Sequence, residues 1–586
     1  MHQRDISEGA KNNYNRFLLL VAGLGGLLYG VDVGIIAGAL PYLNDTSGFN
    51  ANQLSFIVAA VLLGSVISTL FAGMLADFFG RKRMMIASGV LFVVSIPTIA
   101  LAHGYWPLVF GRLLQGISAG LIGVVIPLYL AECLDAKNRG KGTGIFQWLL
   151  TFGIFAATMI GLYFSHRVDE VSKLGDADRL FAFKEVAWRG IFWVSLPPGI
   201  LFVLGSFMVA ESPRWLFRRK KIDAARDALL RSRSNEQAEI ELKEMQETVA
   251  AENAKTAAGQ IKESLLRRKY VIPFLLACVI LACNQLTGVN SIIGYNTTIL
   301  IQAGLSDLNA HFANSLFTLI NFLVTIAGVL LVDRKGRKFL LSLGSAGIIL
   351  SLLIAGFLFR DVESNRGDMR EDIQRLVSTN QALSFKFDIK TQGEMTDDTA
   401  PSTLVIIYSY GDFHSATAAV RSDDATAKPI EITRDNCLPP NKVAAFFSNP
   451  FADLNSARTA PLKIEHAFIT PIPDAANGWL TAICLFAFMS FFAVGPGVCV
   501  WLALSELMPM RIRSNGMSIA LLINQAVSTT IAAIFLPTVG KYGYSTMFFI
   551  FAGCTVIYFI TAAFFLPETK GKTLEEIEEH FEGKKS

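Results

Sequence analysis

Charge is scarce in this sequence: only 17% of its 586 residues are Asp, Glu, Lys or Arg, whereas 52% are hydrophobic. The mean hydropathy of +0.44 is too high for an ordinary soluble protein of this length. The net charge of +4 is small, and the lysines and arginines lie in short clusters between apolar runs, so we expect no nucleic-acid partner. The composition instead predicts that most of the chain lies in a lipid bilayer.

The residue spacings of metal sites, disulfide frameworks and enzymes are also lacking. Among the seven cysteines only Cys437 lies in a polar stretch, and no CxxC or Cys/His spacing occurs. No nucleophile with a neighbouring base and no phosphate-binding glycine loop is visible. We therefore expect no metal, no cofactor and no enzymatic activity.

Long hydrophobic runs are abundant. A helix needs about 20 mostly apolar residues to cross a bilayer core about 30 Å thick. Twelve runs meet this requirement, at 17–41, 54–76, 84–102, 107–131, 143–164, 189–210, 271–302, 312–332, 338–358, 477–504, 516–537 and 545–566. The first run contains Asp32 and no small-residue cleavage pattern, so we interpret it as a retained helix and not as a signal peptide. The sequence thus predicts an all-α transmembrane protein of twelve helices.

Basic residues indicate the orientation of these helices. They follow the second, fourth, eighth and tenth runs, at Arg81, Lys82, Arg83, Lys137, Arg139, Lys141, Arg334, Lys335, Arg337, Lys338, Arg511 and Arg513. Because loops rich in Lys and Arg stay on the cytoplasmic side, we expect these loops and both termini in the cytoplasm. The expected location is the plasma membrane or a bacterial inner membrane.

Two segments are too polar to lie in lipid. Residues 211–270 carry basic runs and a stretch rich in Ala, Glu and Lys, which predicts a cytoplasmic helical linker. Residues 361–476 fall on the other side of the membrane, where alternating or β-branched runs at 383–389 and 402–410 are separated by turn residues. These runs favour an extracytoplasmic insertion with β structure over the competing interpretation, a long flexible loop.

An internal repeat divides the helices into two sets of six. The motif DxxGRK follows the second run at 77–82 and the eighth run at 333–338. The pair ExxxxxxR begins at Glu132 and again at Glu506. Two similar six-helix halves place a cavity at their interface, near the middle of the membrane, that opens alternately to each side.

The domain organisation follows from these observations. We expect a cytoplasmic tail, an N-terminal six-helix half, the linker, helices 7 to 9 of the C-terminal half, the insertion, helices 10 to 12, and a second cytoplasmic tail. Their bounds are 1–16, 17–210, 211–270, 271–360, 361–476, 477–567 and 568–586.

Nine motifs carry a resemblance to a known family. In chain order they are GGLLYGVDVGIIAGAL (25–40), GMLADFFGRKR (73–83), GRLLQGISAG (111–120), PLYLAECLDAKNRG (127–140), ESPRW (211–215), NQLTGVNSIIGY (284–295), VDRKGRK (332–338), GPGVCVWLALSELMPMRIRSNG (495–516) and PETKGKT (567–573). Together they resemble the sugar porter branch of the major facilitator superfamily, which includes proton-coupled xylose and hexose symporters, glucose facilitators and inositol transporters. The resemblance implies a twelve-helix major facilitator fold and alternating access. It does not cover the N-terminal tail or the insertion.

Asp32 lies in the middle of the first apolar run, where a carboxylate costs about 3 kcal/mol even on the lenient insertion scale. Arg112 begins the fourth run, and the resemblance implies that it faces Asp32, as in proton-coupled members. The carboxylate of Asp32 can then either bind a proton or form an ion pair with Arg112. If the opening and closing of the cavity changes the exposure of Asp32 and shifts it between these two states, transport is coupled to a proton. A static ion pair that only joins two helices is the structural alternative.

Amide side chains on apolar helices are the second candidate site, because an amide offers a sugar hydroxyl both a donor and an acceptor. They are Gln147, Asn284, Gln285, Asn290, Asn321, Asn524 and Gln525. Gly288 allows a local break that would align those of the seventh helix. Trp501 and Tyr29 offer aromatic faces to a sugar ring. The structural alternative is a hydrogen bond between helices, worth about 0.6 kcal/mol.

The chain departs from the xylose symporters in the expected pocket. Ile154 stands where they have a second glutamine, Gly294 where they have a tyrosine, and Gln525 where a tryptophan is usual. These differences alter the wall of the pocket and leave the substrate unidentified.

Charged residues at the cytoplasmic helix ends resemble the family's inner salt-bridge network. They are Asp77, Arg81, Glu132, Arg139, Glu211, Arg214, Asp333, Arg337, Glu506, Arg513 and Glu568. The resemblance implies that the network holds the outward-open state and breaks on inward opening. Solvated surface pairs, each worth about 0 to 1 kcal/mol, are the alternative.

The leading hypothesis is therefore secondary active import of a monosaccharide or polyol together with a proton. A uniporter that catalyses facilitated diffusion is the first alternative, and a sugar sensor that does not transport is the second. The tail after Pro567 is short, which leaves little room for a signalling domain. A monomer is the default oligomeric state.

Overall fold

Twelve membrane-length helices make up most of the computed structural model. The structure describes residues 8–134, 136–257, 267–396, 400–424, 426, 428–439, 441–442, 445, 449, 451–508, 512–569 and 581, and it describes their side chains except at 136–143, 248–257, 333, 501–506 and 513–515. All twelve predicted membrane crossings are present among these residues, so the number of helices is confirmed. A helix is expected at each run because lipid offers no partner for free backbone groups.

The N-terminal half contains the first six membrane crossings. Its helices are α1 (Glu8–Ser47), α2 (Ala51–Phe79), α3 (Arg81–Ala100), α4 (Tyr105–Cys133), α5 (Ala136–Ser172), and α6 (Ala177–Trp193) with α7 (Leu196–Met208) as the sixth crossing. At the start of α2, Asn50 and Gln53 form a reciprocal capping box, with Gln53 N donating to Asn50 Oδ1 over 2.8 Å. The α2 helix ends at Gly80, whose φ of 105° is unfavourable for other residues.

Three short or polar helices follow the first half. They are α8 (Pro213–Arg218), α9 (Ile222–Leu230) and α10 (Asn235–Ala257). Leu216, Leu229 and Leu242 join them in a small hydrophobic cluster of their own. This segment therefore packs as a compact unit, and α8 lies against the end of α4.

The C-terminal half contains the remaining six crossings. Its helices are α11 (Arg268–Leu286) with α12 (Val289–Gln302), α13 (Asp307–Lys335), α14 (Arg337–Ser364), then α18 (Ala475–Val494) with α19 (Pro496–Leu507), α20 (Arg513–Tyr542), and α21 (Tyr544–Ile560), which continues as a π-helical turn at Thr561–Phe565. In this half two crossings are broken helices, at Gly288 and at Gly495.

The insertion between α14 and α18 contains β structure. Its strands are β1 (Gly367–Asp368), β2 (Leu383–Phe385), β3 (Ser402–Tyr410), β4 (Phe413–Ala416), β5 (Val420–Arg421), β6 (Ile430–Ile432) and β7 (Leu462–Pro471), and its helices are α15 (Arg370–Arg375), α16 (Ile389–Thr396) and α17 (Leu454–Thr459). The main antiparallel sheet has the order β1-β7-β3-β4, with β5 also paired to β3, and β2 pairs with β6. The predicted β structure is confirmed, and the flexible-loop alternative is wrong for the described part.

A separate hydrophobic core supports this sheet. Ile406 and Tyr408 of β3 pack with Ile464 of β7 and with Leu383 and Ile432 of the small sheet, all almost fully buried. The strands β3 and β7 pair over nearly their whole length, with a bulge between Ile407 and Tyr408. The insertion is thus a folded unit, whose two ends continue directly into α14 and α18.

The two halves meet along three pairs of helices. In each pair one helix comes from each half: α1 packs on α12, α2 on α20, and α5 on α13. Within the first half, α2 and α4 approach closely because Gly64 and Gly116 leave no side chain between the two backbones. This arrangement places α1, α4, α5, α11, α12, α13 and α20 around the interface where the candidate residues lie.

Candidate functional site

Asp32 of α1 and Arg112 of α4 lie side by side in the interior, each 1% exposed. Among the described residues no hydrogen bond reaches either carboxylate oxygen of Asp32, and no ion pair with Arg112 forms within 4.0 Å. Arg112 Nη1 instead donates to Gln115 Oε1 over 2.6 Å, and its guanidinium carbon lies 5.8 Å from the centre of the Phe192 ring. The two predicted residues are therefore neighbours, with Gln115 beside both.

An amide network joins the broken seventh crossing to α20. Asn290 Nδ2 donates to Gln285 Oε1 over 2.9 Å and to Ser528 Oγ over 2.8 Å. Gln285 Nε2 donates to Asn524 Oδ1 over 3.1 Å, and Asn524 Nδ2 donates to the Leu281 carbonyl over 3.0 Å. Three of the predicted amides thus form one continuous chain of hydrogen bonds.

Gly288 makes this network possible. It has a left-handed φ of 80° and begins α12, so the chain leaves the direction of α11 at this point. A side chain here would also collide with the ring of Phe551. Because Gln285 and Asn290 are five residues apart, a regular helix would point them in different directions, and the break brings their side chains into contact.

The other predicted side chains have fewer hydrogen bonds with the described residues. Asn284 is buried and its Oδ1 has no hydrogen-bond partner among the described residues, while Asn321 Oδ1 accepts from Thr325 over 3.4 Å. Gln147 is half-buried on α5. Tyr29 and Gln525 lie next to each other, one from each half. The side chain of Trp501 lies outside the described residues.

We call the end of the helix bundle that carries the insertion the insertion end, and the opposite end, with the basic loops, the basic end. At the insertion end, Asp307 Oδ2 of α13 accepts from Tyr42 over 2.7 Å and from Ser165 over 2.6 Å. About three helical turns further into the bundle along α13, the hydroxyls of Thr158 and Thr318 are 2.8 Å apart. These contacts join α1 and α5 to α13, so they hold the two halves together at this end.

A second set of contacts closes the other side of the insertion end. Tyr295 of α12 donates to the Ala532 carbonyl over 3.0 Å, and its ring stacks on Phe535. Ser55 of α2 accepts from the backbone N–H of Leu536 over 3.1 Å. The contact between Tyr295 and α20 lies within the C-terminal half, whereas Ser55 joins α2 to α20 and also accepts from the Tyr295 hydroxyl over 3.4 Å. The two halves therefore meet on both sides of the bundle axis.

The insertion itself is bound to the N-terminal half by a buried cation. Lys184 Nζ lies 2.8 Å from Asp45, 2.9 Å from Asp424 and 2.8 Å from Thr426 Oγ1. Burial alone would raise the pKa of Asp424, but the charge of Lys184 and the hydrogen bonds from Lys184 and Thr426 outweigh it and hold that pKa below its usual value. Asp424 is therefore a charged partner that fixes the insertion to α6.

Further contacts extend this attachment to both halves. Asn50 Nδ2 donates to the Asn436 carbonyl over 2.6 Å. A small hydrophobic cluster contains Ala51 of α2 and Ile407 and Ala416 of the sheet, with Leu536 of α20 packed against it. The insertion thus lies across the seam between the halves.

A cavity of about 610 Å³ lies between the insertion and the bundle. Its lining includes Asp45, Lys184, Glu363, Tyr408, Asp424 and Lys428. It is therefore distinct from the amide network, which lies deeper in the membrane.

At the basic end, the predicted charged residues pair within the N-terminal half. Arg81 is 2% exposed, and its guanidinium lies 2.7 Å from Asp77 and 2.8 Å from Glu132. Glu132 also accepts from Ser212 Oγ. These pairs are intact while the insertion end is closed; whether they break during transport stays a prediction.

Two carboxylates of the predicted network serve as matching helix caps. Glu211 Oε1 accepts from the backbone N–H of Arg81 and of Lys82, at 2.9 and 3.0 Å. Glu568 does the same for Arg337 and Lys338, at 3.1 and 3.2 Å. Each negative charge therefore lies at a positive helix N-terminus, of α3 and of α14.

The remaining residues of the predicted network form no ion pairs that the structure describes. Arg214 is exposed and forms no ion pair with the described residues. The side chains of Arg139, Asp333, Glu506 and Arg513 lie outside the described residues.

The sequence analysis missed several residues that the structure brings to functional positions. Gln115 could have been found, since it is an amide on an apolar helix one turn after Arg112. Asp307 carried a weaker signal, because charges at helix ends are common, and Lys184 carried little signal, because it lies in α6 before the predicted apolar run at 189–210. Their partners are far away in sequence, so the spacing could not reveal the pairs.

Twelve membrane helices in two similar halves, with polar side chains at their interface, define a membrane carrier with the major facilitator fold. Residues 18–371 and 463–581 match the family model described as "Sugar (and other) transporter". The chain belongs to this family, and it is a membrane transporter and not an enzyme. The family model leaves 372–462 unmatched, which is most of the insertion.

Similar proteins with curated names are carriers. The glucose transporter GlcP of Staphylococcus epidermidis is 26% identical over 96% of this chain and 97% of its own length. The proton myo-inositol cotransporter of Homo sapiens is 26% identical over 99% of this chain and 85% of its own length. A partially occluded inward-open structure of the xylose transporter XylE from E. coli has a TM-score of 0.64 at 20% identity, covering 96% of this chain and all of that one. That likeness supports the fold.

Proposed function

We propose that this protein imports a monosaccharide or polyol together with a proton by alternating access. One observation carries the proton coupling: the carboxylate of Asp32 is buried in the bilayer interior and accepts no hydrogen bond from the described residues. A charged group at this depth is expensive, and such residues mark ion and proton pathways. Relatives whose names include a proton cotransporter support this reading.

The substrate would bind at the amide network. Gln285, Asn290 and Asn524 present donors and acceptors from two helices of the C-terminal half, and Tyr29 adds an aromatic face from the N-terminal half. A neutral sugar or polyol has hydroxyl groups that pair with such amides, and an apolar ring face that packs on an aromatic side chain.

Alternating access would act between the two ends of the bundle. The insertion end is closed by contacts of α1, α2 and α5 with α13 and α20, so these contacts must separate before substrate enters from that side. By the positive-inside rule the basic end and both termini face the cytoplasm, and the insertion lies outside. The insertion would then stabilise the inward-facing state, because it binds both halves at the closed end.

Uptake by purified protein in liposomes tests this proposal. An inward proton gradient should raise the uptake of a radiolabelled substrate, chosen by competition among hexoses, pentoses and inositols. Asp32→Asn should lose about 10-fold or more of this gradient-driven uptake and should retain exchange of substrate across the membrane, because only the proton step needs the carboxyl group. Asp372→Asn removes an exposed carboxylate of the insertion and is the matched control.

The result separates symport from the alternatives. Equal uptake with and without the gradient would indicate a uniporter. Substrate binding without any flux would indicate a sensor.

A further inference from the structure

Gln115 is the third member of a buried polar group with Asp32 and Arg112. It is fully buried and lies one helical turn after Arg112 on α4. Its Oε1 accepts from Arg112 Nη1 over 2.6 Å, while its own Nε2 has no hydrogen-bond partner among the described residues. The Gln115 amide also lies close enough to Asp32 to interact with it, although neither carboxylate oxygen accepts a hydrogen bond within the usual distance and angle limits. An unpaired buried donor thus lies beside an unpaired buried acceptor.

A glutamine is suited to this position by its chemistry. One side chain supplies an acceptor for the guanidinium and a donor for the carboxylate, and it carries no charge itself. With Arg112 held by Gln115, the arginine and Asp32 do not form an ion pair within 4.0 Å. A longer separation weakens the attraction that would otherwise favour the charged carboxylate.

We infer that Gln115 is a positioning residue that keeps Arg112 from pairing directly with Asp32, and so sets the pH at which the carrier takes up its proton. This inference rests on the proposed proton coupling. It assigns a role in coupling to a residue that does not have to touch the substrate.

Few other charged groups lie near enough to Asp32 to set the pH at which it binds a proton. Among the described residues, Arg112 and Tyr29 are the titratable groups that act electrostatically on Asp32 or are affected by it. The neighbouring helices present the side chains of Ile99 of α3 and Phe192 of α6 to α4 here. The backbones of Val61 of α2 and of Leu150 and Ile154 of α5 pack against the glycines of α4 and α1, and Val289 and Ile292 of α12 share a hydrophobic core with Val31 of α1. A change at Gln115 is therefore expected to alter the balance between Asp32 and Arg112 with little compensation.

Two substitutions at this position should have opposite effects. In Gln115→Leu, Asp32 loses the neighbouring amide and Arg112 loses its acceptor and turns to Asp32. Because the full charge of the guanidinium attracts the carboxylate more strongly than a neutral amide does, the charged carboxylate is favoured. The pH of half-maximal gradient-driven uptake should then move about one unit lower. In Gln115→Glu, a new carboxylate occupies Arg112 and repels a charge on Asp32. The same midpoint should move about one unit higher.

The experiment measures initial uptake into proteoliposomes across a series of external pH values, with the internal pH fixed. Ser118→Ala is the matched control, because it removes another buried hydrogen bond of α4, to the Ser88 carbonyl over 2.8 Å, without touching the polar group. Its midpoint should equal that of the wild type. If the leucine variant does not fold, Gln115→Asn tests the same point, since the shorter amide cannot span both partners and should shift the midpoint downward.

The outcomes are distinguishable from those of the proposed function. Opposite shifts for the leucine and glutamate variants support the inference. If wild-type uptake responds to the gradient but these variants change only the amount of uptake and not its midpoint, Gln115 is merely structural and the inference is wrong. If wild-type uptake ignores the gradient, both the coupling and the role of Gln115 are overturned.

Discussion

The two ends of the helix bundle are held together in different ways. At the insertion end, hydrogen bonds run between the halves, as from Tyr42 to Asp307 and between Thr158 and Thr318. At the basic end, the described ion pairs stay within one half, as between Arg81 and Glu132. Contacts of the first kind must change when a carrier alternates, whereas contacts of the second kind can persist as each half moves as a body. In this conformation, the contacts that must separate during transport therefore lie at the insertion end, and we call them the gate.

The largest effect is expected from locking the insertion end. With Thr158→Cys and Thr318→Cys together, a disulfide should form where the two hydroxyls are now 2.8 Å apart. Because the halves could then not separate at this end, uptake should fall by about 10-fold or more and return when a reductant is added. Uptake into proteoliposomes before and after reduction provides the measurement. Each single cysteine variant is the control. Full activity of the cross-linked protein would show that the halves do not have to separate at this end during transport.

A smaller effect is expected from releasing the insertion. Lys184→Met leaves Asp45 and Asp424 without their shared cation, which should lower the free energy of local opening of the insertion by about 3 kcal/mol. Hydrogen exchange of the β3 and β7 amides in detergent measures this change. Lys173→Met removes an exposed partner of Asp169 and should change little. Unchanged exchange in the Lys184 variant would mean that the insertion is held by its other contacts.

The smallest effect concerns acid. The pKa of Asp424 lies below its usual value of 3.8, because Lys184 and Thr426 stabilise the carboxylate more than burial destabilises it. Its contribution to the attachment is therefore present above pH 3.8 and is lost as the pH falls through the lower, folded-state pKa. Thermal unfolding of the wild type should lose stability over this range, and Asp424→Asn should lose less. Equal losses would show that other carboxylates cause the acid effect.

The sequence predicted the membrane part of the fold well. Long apolar runs directly indicate segments buried in lipid, and the repeated DxxGRK motif indicates that the helices form two similar halves. It also predicted β structure at 402–410, where an apolar, β-branched run lies in a polar segment. It did not predict β7 at Leu462–Pro471, although the alternation of buried and exposed residues in this strand is the local pattern of a half-buried strand. Its pairing with β3 could not be predicted, because the two strands lie far apart in the sequence. Sheet partners distant in sequence leave no local signal.

The sequence predicted which residues form the candidate site better than it predicted the contacts between them. The break at Gly288 and the contact of Gln285 with Asn290 follow from a glycine between two amides, and both are present. The pairing of Gln285 with Asn524 spans 239 residues and required the folded halves. Arg112 was expected to face Asp32, and it lies beside it, but the glutamine that holds it was not foreseen. Residues that act through a neighbour are hard to find from spacing alone.

The central claim, symport through Asp32, is tested most directly by counting protons. Substrate added outside liposomes that contain the protein and a trapped pH dye, with no gradient imposed and the membrane potential clamped, should acidify the interior in step with substrate entry. The account predicts proton entry at a fixed ratio to substrate for the wild type and none for Asp32→Asn. Substrate entry without any acidification in the wild type would contradict it.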